Sequence, residues 1–292
     1  MEIKRILVCG SNGQLGRTLK DVSLLYSTLD FTFLTRGELD ITSLENVTSV
    51  ITSGNYNAVV NCAAYTNVNN AETESGRQLC IDANLHGPMN LVRTCKKNGN
   101  IPLINISTDY VFDGENHNMP YKETDKTNPQ SIYGRSKEFM EEEIVGENPD
   151  TNMIIRTSWV YSKYGKNFVK TMSEKMKTSP SVNVVCDQVG TPTNAKDLAN
   201  AICLILTKGI NGGIYHYSNE GTASWYDFAC AIQCLSKDEG IKKCEINPLF
   251  TDEINQTVKR PTYSVLDKTK IKKEYGLKIP HWLNSLSELF YD

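Results

Sequence analysis

Five short, continuous apolar runs punctuate the first half of the chain, at Ile6–Cys9, Phe31–Leu34, Ala58–Asn61, Leu103–Ser107 and Met153–Arg156. Between them, residues 15–26, 43–52, 75–98 and 133–147 carry helical patterning, the last opening just after the turn Pro129-Gln130-Ser131. A strand with one solvated face alternates apolar and polar residues, whereas a strand covered on both faces reads as an unbroken apolar run. Unbroken runs alternating with helices are the signature of βαβ units feeding a parallel sheet with helices on both sides. The pattern therefore dictates a doubly wound α/β fold. Beyond about residue 160 it loosens into a helix (Phe168–Lys177), a strand (Val182–Cys186), a helix (Asp197–Leu206), a strand (Gly213–Tyr217) and a helix from Ser224. The expected division is a sheet domain over 1–160 and a smaller lobe over 161–292, interleaved with late sheet elements and closing over the edge where such sheets bind ligands.

Composition narrows the function classes. Hydrophobic residues at 39% and charged residues at 22% of 292 residues are ordinary for a globular protein. The net charge of -3 comes from interspersed acids and bases, so no face is built for a polyanion and nucleic acid is an unsuitable partner. Nine cysteines are scattered through apolar segments without the close pairs of a zinc or redox site; Cys230 and Cys234 share a helix face but lack a second ligand pair. This points to a reducing compartment and no structural metal. The opening Met1–Gly10 segment lacks the long apolar stretch of a signal peptide, and no run approaches the roughly 20 apolar residues of a membrane span, so a cytoplasmic protein without membrane contact is expected.

Gly10-Ser11-Asn12-Gly13-Gln14-Leu15-Gly16 follows the first strand and opens the first helix. Glycines there permit a tight turn and close approach of backbone to a pyrophosphate, while the helix N-terminus offers free N–H groups and a positive dipole. In this strand-then-helix context the loop reads as the dinucleotide site of a Rossmann-like, NAD(P)-binding domain, with Gly10, Asn12, Gly13, Gln14, Leu15 and Gly16 against the cofactor. The second strand ends Leu34-Thr35-Arg36-Gly37-Glu38. NAD-selective folds place an acid there, whereas Arg36 suits a 2′-phosphate, which favours NADPH and leaves NADH as the second candidate. A solvated surface arginine is the alternative for Arg36. Asp40-Ile41 would reach the adenine, although Asp40 could equally cap the helix at Thr42-Ser43. Small residues in Asn61-Cys62-Ala63-Ala64-Tyr65-Thr66 would let Ala63, Ala64 and Tyr65 pass beneath the ribose and pyrophosphate.

Ser107-Thr108-Asp109-Tyr110-Val111-Phe112 ends another strand, and Tyr133-Gly134-Arg135-Ser136-Lys137 starts a later helix, its Tyr and Lys one turn apart on one face. Hydride reduction of a ketone leaves an alkoxide that needs a proton. A phenol with an ordinary pKa near 10 is brought toward the working range by a neighbouring ammonium. Thr108 can hold the carbonyl oxygen for attack.

These residues resemble the extended short-chain dehydrogenase/reductases, and the string Ser107–Gly114 is similar to that of dTDP-4-dehydrorhamnose reductases. The likeness continues through Gly13–Gly16, Asn61–Thr66 with Ala71-Glu72, Arg156–Tyr161, Asp187–Thr193 and Arg260–Asp267, nearly the full length. It implies a catalytic triad of Thr108, Tyr133 and Lys137, with Lys137 also holding the nicotinamide ribose. It further implies nucleotide-sugar contacts from Thr108, Asp109 and Trp159 and a diphosphate contact from Arg260. By composition alone Trp159 is equally a core aromatic and Arg260 a surface residue. The implied reaction is NADPH-dependent reduction of the C4 keto group of dTDP-4-dehydro-6-deoxy-L-mannose to dTDP-L-rhamnose. Some members of the family bind magnesium through a glutamate at the position of Thr18, so this chain is expected to lack that metal site and to be a monomer or weak homodimer. The alternatives are a reductase, epimerase or dehydratase acting on another nucleotide-sugar, and a non-catalytic NADP-binding regulatory subunit. Tyr110, where dehydratases carry an acid, argues against dehydration, and intact Tyr133 and Lys137 argue against the non-catalytic role.

Overall fold

A computed structural model describes residues 4–115, 119–254 and 257–291; Met1–Ile3 of the opening segment read above lie outside the described residues. The chain runs β1 (Lys4–Cys9), α1 (Gln14–Ser23), β2 (Leu29–Leu34), α2 (Leu44–Gly54), β3 (Ala58–Asn61), α3 (Val68–Ala71), α4 (Glu74–Ile81), a π-helical turn (Asp82–His86), α5 (Gly87–Lys97), β4 (Leu103–Thr108), α6 (Ile132–Glu147) and β5 (Asn152–Thr157). It continues through β6 (Val160–Tyr161), α7 (Phe168–Thr178), β7 (Ser181–Val185), β8 (Val189–Gly190), β9 (Thr193–Asn194), α8 (Ala195–Lys208), β10 (Gly213–His216), β11 (Ala223–Ser224), α9 (Trp225–Leu235), α10 (Glu239–Lys243), β12 (Glu245–Leu249), α11 (Thr269–Tyr275) and α12 (Trp282–Tyr291).

Six strands form one sheet in the order β10-β5-β4-β3-β1-β2, every pairing parallel. The doubly wound fold expected from the apolar runs is the fold observed. Because successive side chains of a strand point to opposite faces, Ile6 and Val8 enter one core with Leu19 and Val22 of α1 and Leu198 and Ile202 of α8, while Leu7 and Cys9 enter the other with Val47 and Ile51 of α2 and Leu91 of α5. Each such fully buried aliphatic side chain contributes about 1.5–3 kcal/mol relative to exposure. Both α8 and β10 come from beyond residue 160, so the chain returns to complete the sheet layer after it has begun the lobe. The lobe packs three two-stranded pieces, β11·β8, β12·β7 and β6·β9, around a third core that includes Tyr161, Phe228 and Trp282.

Two helices differ from their sequence pattern. The first stops at Ser23, three residues early, where Leu24 and Leu25 turn outward at 86% and 76% exposure and Tyr26 packs back onto α8 through a hydrogen bond from its hydroxyl to Asn200 O. The stretch expected as one helix over 75–98 is α4 and α5 joined by the π-helical turn. Within that turn the buried Asn84 donates to Tyr65 O (3.0 Å) and accepts from Tyr65 N (2.9 Å), pairing the backbone of the β3 loop as a strand would.

Candidate active site

Strand order reverses between β1 and β3, and the loops leaving their carboxyl ends diverge to open a crevice. Gly10 has φ +71°, and a Cβ there would lie 2.6 Å from Ala63 N; one on Gly16 would lie 2.5 Å from Gly10 O. Only glycine lets the first loop lie against the end of β3 and against its own helix. Helix α1 begins after Gly13 with no side-chain cap, so its first N–H groups and its positive dipole end are left for an anion. The cradle fits a dinucleotide. It opens into a cleft of about 560 Å³ bordered by Asn12, Gly13, Gln14, Leu15, Ala63 and Ala64 on one side and by Thr108, Asp109, Tyr133 and Lys137 on the other. Gln14 also latches the loop to the lobe, donating to Val160 O (3.0 Å) and accepting from Asn167 Nδ2 (2.7 Å). Tyr65, its backbone held by Asn84 and its hydroxyl accepting from Asn70 Nδ2, is not among the residues that line the cleft. Thr18 turns its hydroxyl back onto Gln14 O (2.8 Å).

Helix α6 delivers Tyr133 and Lys137. Ser131 caps it by accepting from Gly134 N (3.0 Å), Glu72 accepts from Ile132 N (2.8 Å), and Gly134 is so close to the Tyr110 carbonyl that a Cβ would sit 2.3 Å away. Lys137 is buried and donates to Ile106 O (3.0 Å), tying helix to strand next to Thr108. Burial lowers its pKa to about 8, with Cys80 and Glu141 pulling it back up. Burial likewise pushes the Tyr133 phenol well above its ordinary range, against a hydrogen bond with the Thr108 hydroxyl. This departs from the expectation of a phenol softened by Lys137. The ammonium is engaged with the Ile106 carbonyl, burial dominates, and the Tyr133 phenol stays neutral.

Asp109 is buried beside Thr108, and its Oδ2 accepts no hydrogen bond of ordinary geometry among the described residues. Its carboxyl is pushed up to about 7, chiefly by burial, against the Ser264 and Thr108 hydroxyls. Thr157 Oγ1, also on the cleft wall, is similarly unpaired. Such atoms are costly in a finished core and natural where a ligand completes the bonding. Tyr110 meets the Tyr133 ring edge-on with centroids 5.9 Å apart, and burial raises its phenol to about 12, so it carries no proton-abstracting charge. Trp159 adopts the left-handed region, φ +47°, rare for so bulky a residue, and stacks on Trp225 at 3.5 Å and 8°. Gly190 makes room for it: a Cβ there would lie 2.7 Å from the indole. Trp225 was not among the sequence candidates; its signal, an aromatic opening a helix after the Ser224 cap, is one that core helices share. Arg260 lies outside the cleft wall, donating to Asn69 Oδ1 at 3.4 Å, with its charge felt at Tyr110.

The loop after β2 does not bring Arg36, Asp40 or Ile41 to the cleft wall. Arg36 is 77% exposed, pairs with Asp40 at 3.5 Å, and lines no part of the cleft. Asp40 accepts from Thr42 N and Oγ1, Ser43 is the residue that caps α2, and Ile41 is buried against Gly87. A second cavity of about 430 Å³ adjoins the first at Asn12 and is lined by Ser11, Arg17, Lys20, Thr35 and Glu38 among others. In the sequence Arg17 and Lys20 stand in no motif, and Glu38 closes the strand-end string Leu34–Glu38, in which Arg36 drew the assignment.

Beneath Thr108, Tyr133 and Lys137 lies a buried network. Glu141, one turn after Lys137, accepts from Ser107 and from Arg156 Nε and Nη2 (3.0 and 2.6 Å), and Arg156 Nη1 meets His216 Nε2 at 3.3 Å. Burial and the Arg156 charge push the His216 pKa down to about 3, so the ring is neutral.

The family model described as "RmlD substrate binding domain" matches residues 4–292. The chain is 38% identical to the dTDP-4-dehydrorhamnose reductase of Aggregatibacter actinomycetemcomitans over 98% of both chains, and 35% identical to the dTDP-4-keto-6-deoxy-D-glucose reductase of Streptomyces niveus over 98% of this chain and 96% of that one. The crystal structure of the Bacillus anthracis dTDP-4-dehydrorhamnose reductase in complex with NADP superposes with a TM-score of 0.91 at 35% identity, covering 100% of this chain and 99% of that one. A glycine loop, a Thr-Tyr-Lys set and this likeness over nearly the whole length have one reading: the chain belongs to the RmlD family and is a dTDP-4-dehydrorhamnose reductase-like, NAD(P)-dependent oxidoreductase.

Proposed function

We propose that this enzyme reduces the C4 keto group of dTDP-4-dehydro-6-deoxy-L-mannose to dTDP-L-rhamnose, using NADPH in preference and NADH as a second donor. The observation that carries the proposal is the convergence of Thr108, Tyr133 and Lys137 on the wall of a cleft whose opposite wall is the glycine loop. When bound, the reduced nicotinamide supplies a hydride. Thr108 holds the carbonyl oxygen, and Tyr133, kept neutral by burial, gives it a proton as the carbonyl becomes an alcohol. Lys137 would hold the nicotinamide ribose hydroxyls with the ammonium that donates to Ile106 O. The free Asp109 Oδ2 accepts from a sugar hydroxyl, Thr157 is the companion polar group, and the Trp159–Trp225 stack offers a flat wall. A second reading, reduction of another dTDP-linked keto-deoxysugar, is supported by the comparable likeness to the Streptomyces niveus enzyme.

The test is a substrate panel varying sugar and nucleotide, with cofactor oxidation followed by its near-ultraviolet absorbance. Fastest turnover with dTDP-4-dehydro-6-deoxy-L-mannose is expected. Faster turnover of a different keto-deoxysugar moves the assignment to the second reading, and no oxidation with any sugar sinks both.

A further inference from the structure

Resting on the reading that the cleft takes a nicotinamide dinucleotide, we propose that the 2′-phosphate of NADPH is read by Arg17 and Lys20 of α1, in competition with the Glu38 carboxylate, and that Arg36 takes no part. The cavity holding these groups meets the main cleft at Asn12 and lies between Ser11 of the glycine loop and Thr35 at the end of β2. In a sheet of this topology the adenosine ribose of a dinucleotide reaches the end of the second strand, so its 2′ position falls here.

Four charged side chains line the cavity. Arg17, Lys20 and Asp21, spaced three and four residues apart, share one face of α1. Asp21 is already satisfied, by Lys163 at 2.9 Å and by the Tyr164 hydroxyl at 2.7 Å. Arg17 lies over the Tyr164 ring, 4.0 Å from its centroid, which fixes the plane of the guanidinium and leaves its N–H edge free. Among the described residues neither Arg17 nor Lys20 forms an ion pair with a carboxylate. One cation fixed by a ring and a second one helical turn away, neither in an ion pair, beside a dinucleotide cleft are what a phosphate requires.

Glu38 shows where the anion sits and what opposes it. Its Oε2 accepts from Thr35 N (2.8 Å) and Thr35 Oγ1 (2.7 Å), and these bonds hold its carboxyl below the usual range. The backbone N–H and hydroxyl of Thr35 therefore form an anion-binding pair that the chain fills with its own carboxylate. A neutral ribose 2′-hydroxyl leaves Glu38 in place and can donate to it. A 2′-phosphate must displace this exposed side chain from Thr35, and Arg17 and Lys20 supply the compensating charge. Arg36, by contrast, is turned to solvent and paired with Asp40, and lines neither cavity. Cofactor choice is thus a balance of two cations on α1 against one acid after β2.

The experiment is titration of NADPH and of NADH, without sugar substrate, into wild type, Arg17→Ala/Lys20→Ala, Lys20→Met, Glu38→Gln and Arg36→Ala, following the fluorescence of the reduced nicotinamide. The double variant should lose NADPH affinity by about tenfold or more, on the order of one charged hydrogen bond, while NADH changes by less than about twofold. Lys20→Met, which leaves the Arg17–Tyr164 stack intact, should lose a smaller part of the NADPH affinity. Glu38→Gln should raise the NADPH-to-NADH affinity ratio several-fold, and Arg36→Ala should leave that ratio unchanged. NADH affinity reports that each variant is folded. Equal losses for both cofactors in the double variant, or a loss confined to NADPH in Arg36→Ala, would overturn the assignment. Failure of the wild type to bind either cofactor would instead strike the dinucleotide reading itself.

Discussion

Two arginine–carboxylate pairs in this molecule have the same chemistry and opposite consequences. Arg156 and Glu141 are each 3% exposed, joined through two arginine nitrogens and tied to Ser107 and His216. Arg36 and Asp40 are 77% and 37% exposed and meet at one 3.5 Å contact. In the interior each charge has lost its water, so the pair holds only because every partner is in position, and that requirement locks α6 against β4, β5 and β10 beneath Thr108, Tyr133 and Lys137. At the surface, water replaces any partner that leaves, and such a pair contributes about 0–1 kcal/mol. Buried charges hold the frame of the cleft in place, whereas the exposed Arg36–Asp40 pair holds nothing that water could not replace.

The severest test of this contrast is Arg156→Met, which strands Glu141 without a counter-charge. It should cost about 3–5 kcal/mol of stability, read as a large fall in the urea midpoint; a loss below about 1 kcal/mol would mean that water reaches the pair. Next in size is Tyr133→Phe, which removes the proton donor and leaves the packing. Turnover should fall about 10²–10⁴-fold while NADPH still binds, and retention of more than about a tenth of the activity would sink the donor role.

Lys137 gives a smaller, pH-graded effect. Its pKa is lowered to about 8, so the ammonium is present at neutrality and lost as pH climbs past that value. Cofactor affinity should decline above about pH 8, each further unit removing roughly a factor of ten of the charged form, and Lys137→Met should bind weakly at every pH without that limb. Because Glu141 supports the ammonium, Glu141→Gln should move the limb to lower pH; an unmoved limb would show that the two groups are not coupled. Smallest of all, Arg36→Ala should change stability by no more than about 0.5 kcal/mol, measured by thermal melting.

How much of this was legible in the sequence depends on whether local pattern or chain crossing decides a residue's place. The five apolar runs correspond to five of the six sheet strands; in β1, β3, β4 and β5 burial on both faces writes the environment into consecutive residues, while β2 at the sheet edge is only half-buried. Tyr133, Lys137 and Thr108 were legible because a helix turn and a strand end fix where they point, and they do meet in one cleft. Arg36 is placed by a loop, where one residue of register or one nearby acid such as Asp40 redirects a long side chain. Arg17, Lys20 and Glu38 read as ordinary surface charges until β2 and α1 are set side by side. Trp225 and Ser264, far along the chain from Thr108, Tyr133 and Lys137, come to them only through tertiary packing.

The widened turn at Asp82–His86 is in effect a phase shift inserted between two helices. An α-helix advances about 100° per residue, so the one residue by which a π turn exceeds an α turn decides which side of α5 faces the sheet. In the observed phase Met89, Leu91, Val92 and Cys95 are inward and Arg93, Lys96 and Lys97 outward. Removing a single residue from the turn would leave every later side chain chemically intact and rotate the helix out of step, offering lysines to the core and leucines to water. The segment behind the β3 loop therefore tolerates substitution far better than deletion: its information lies in counting as much as in composition.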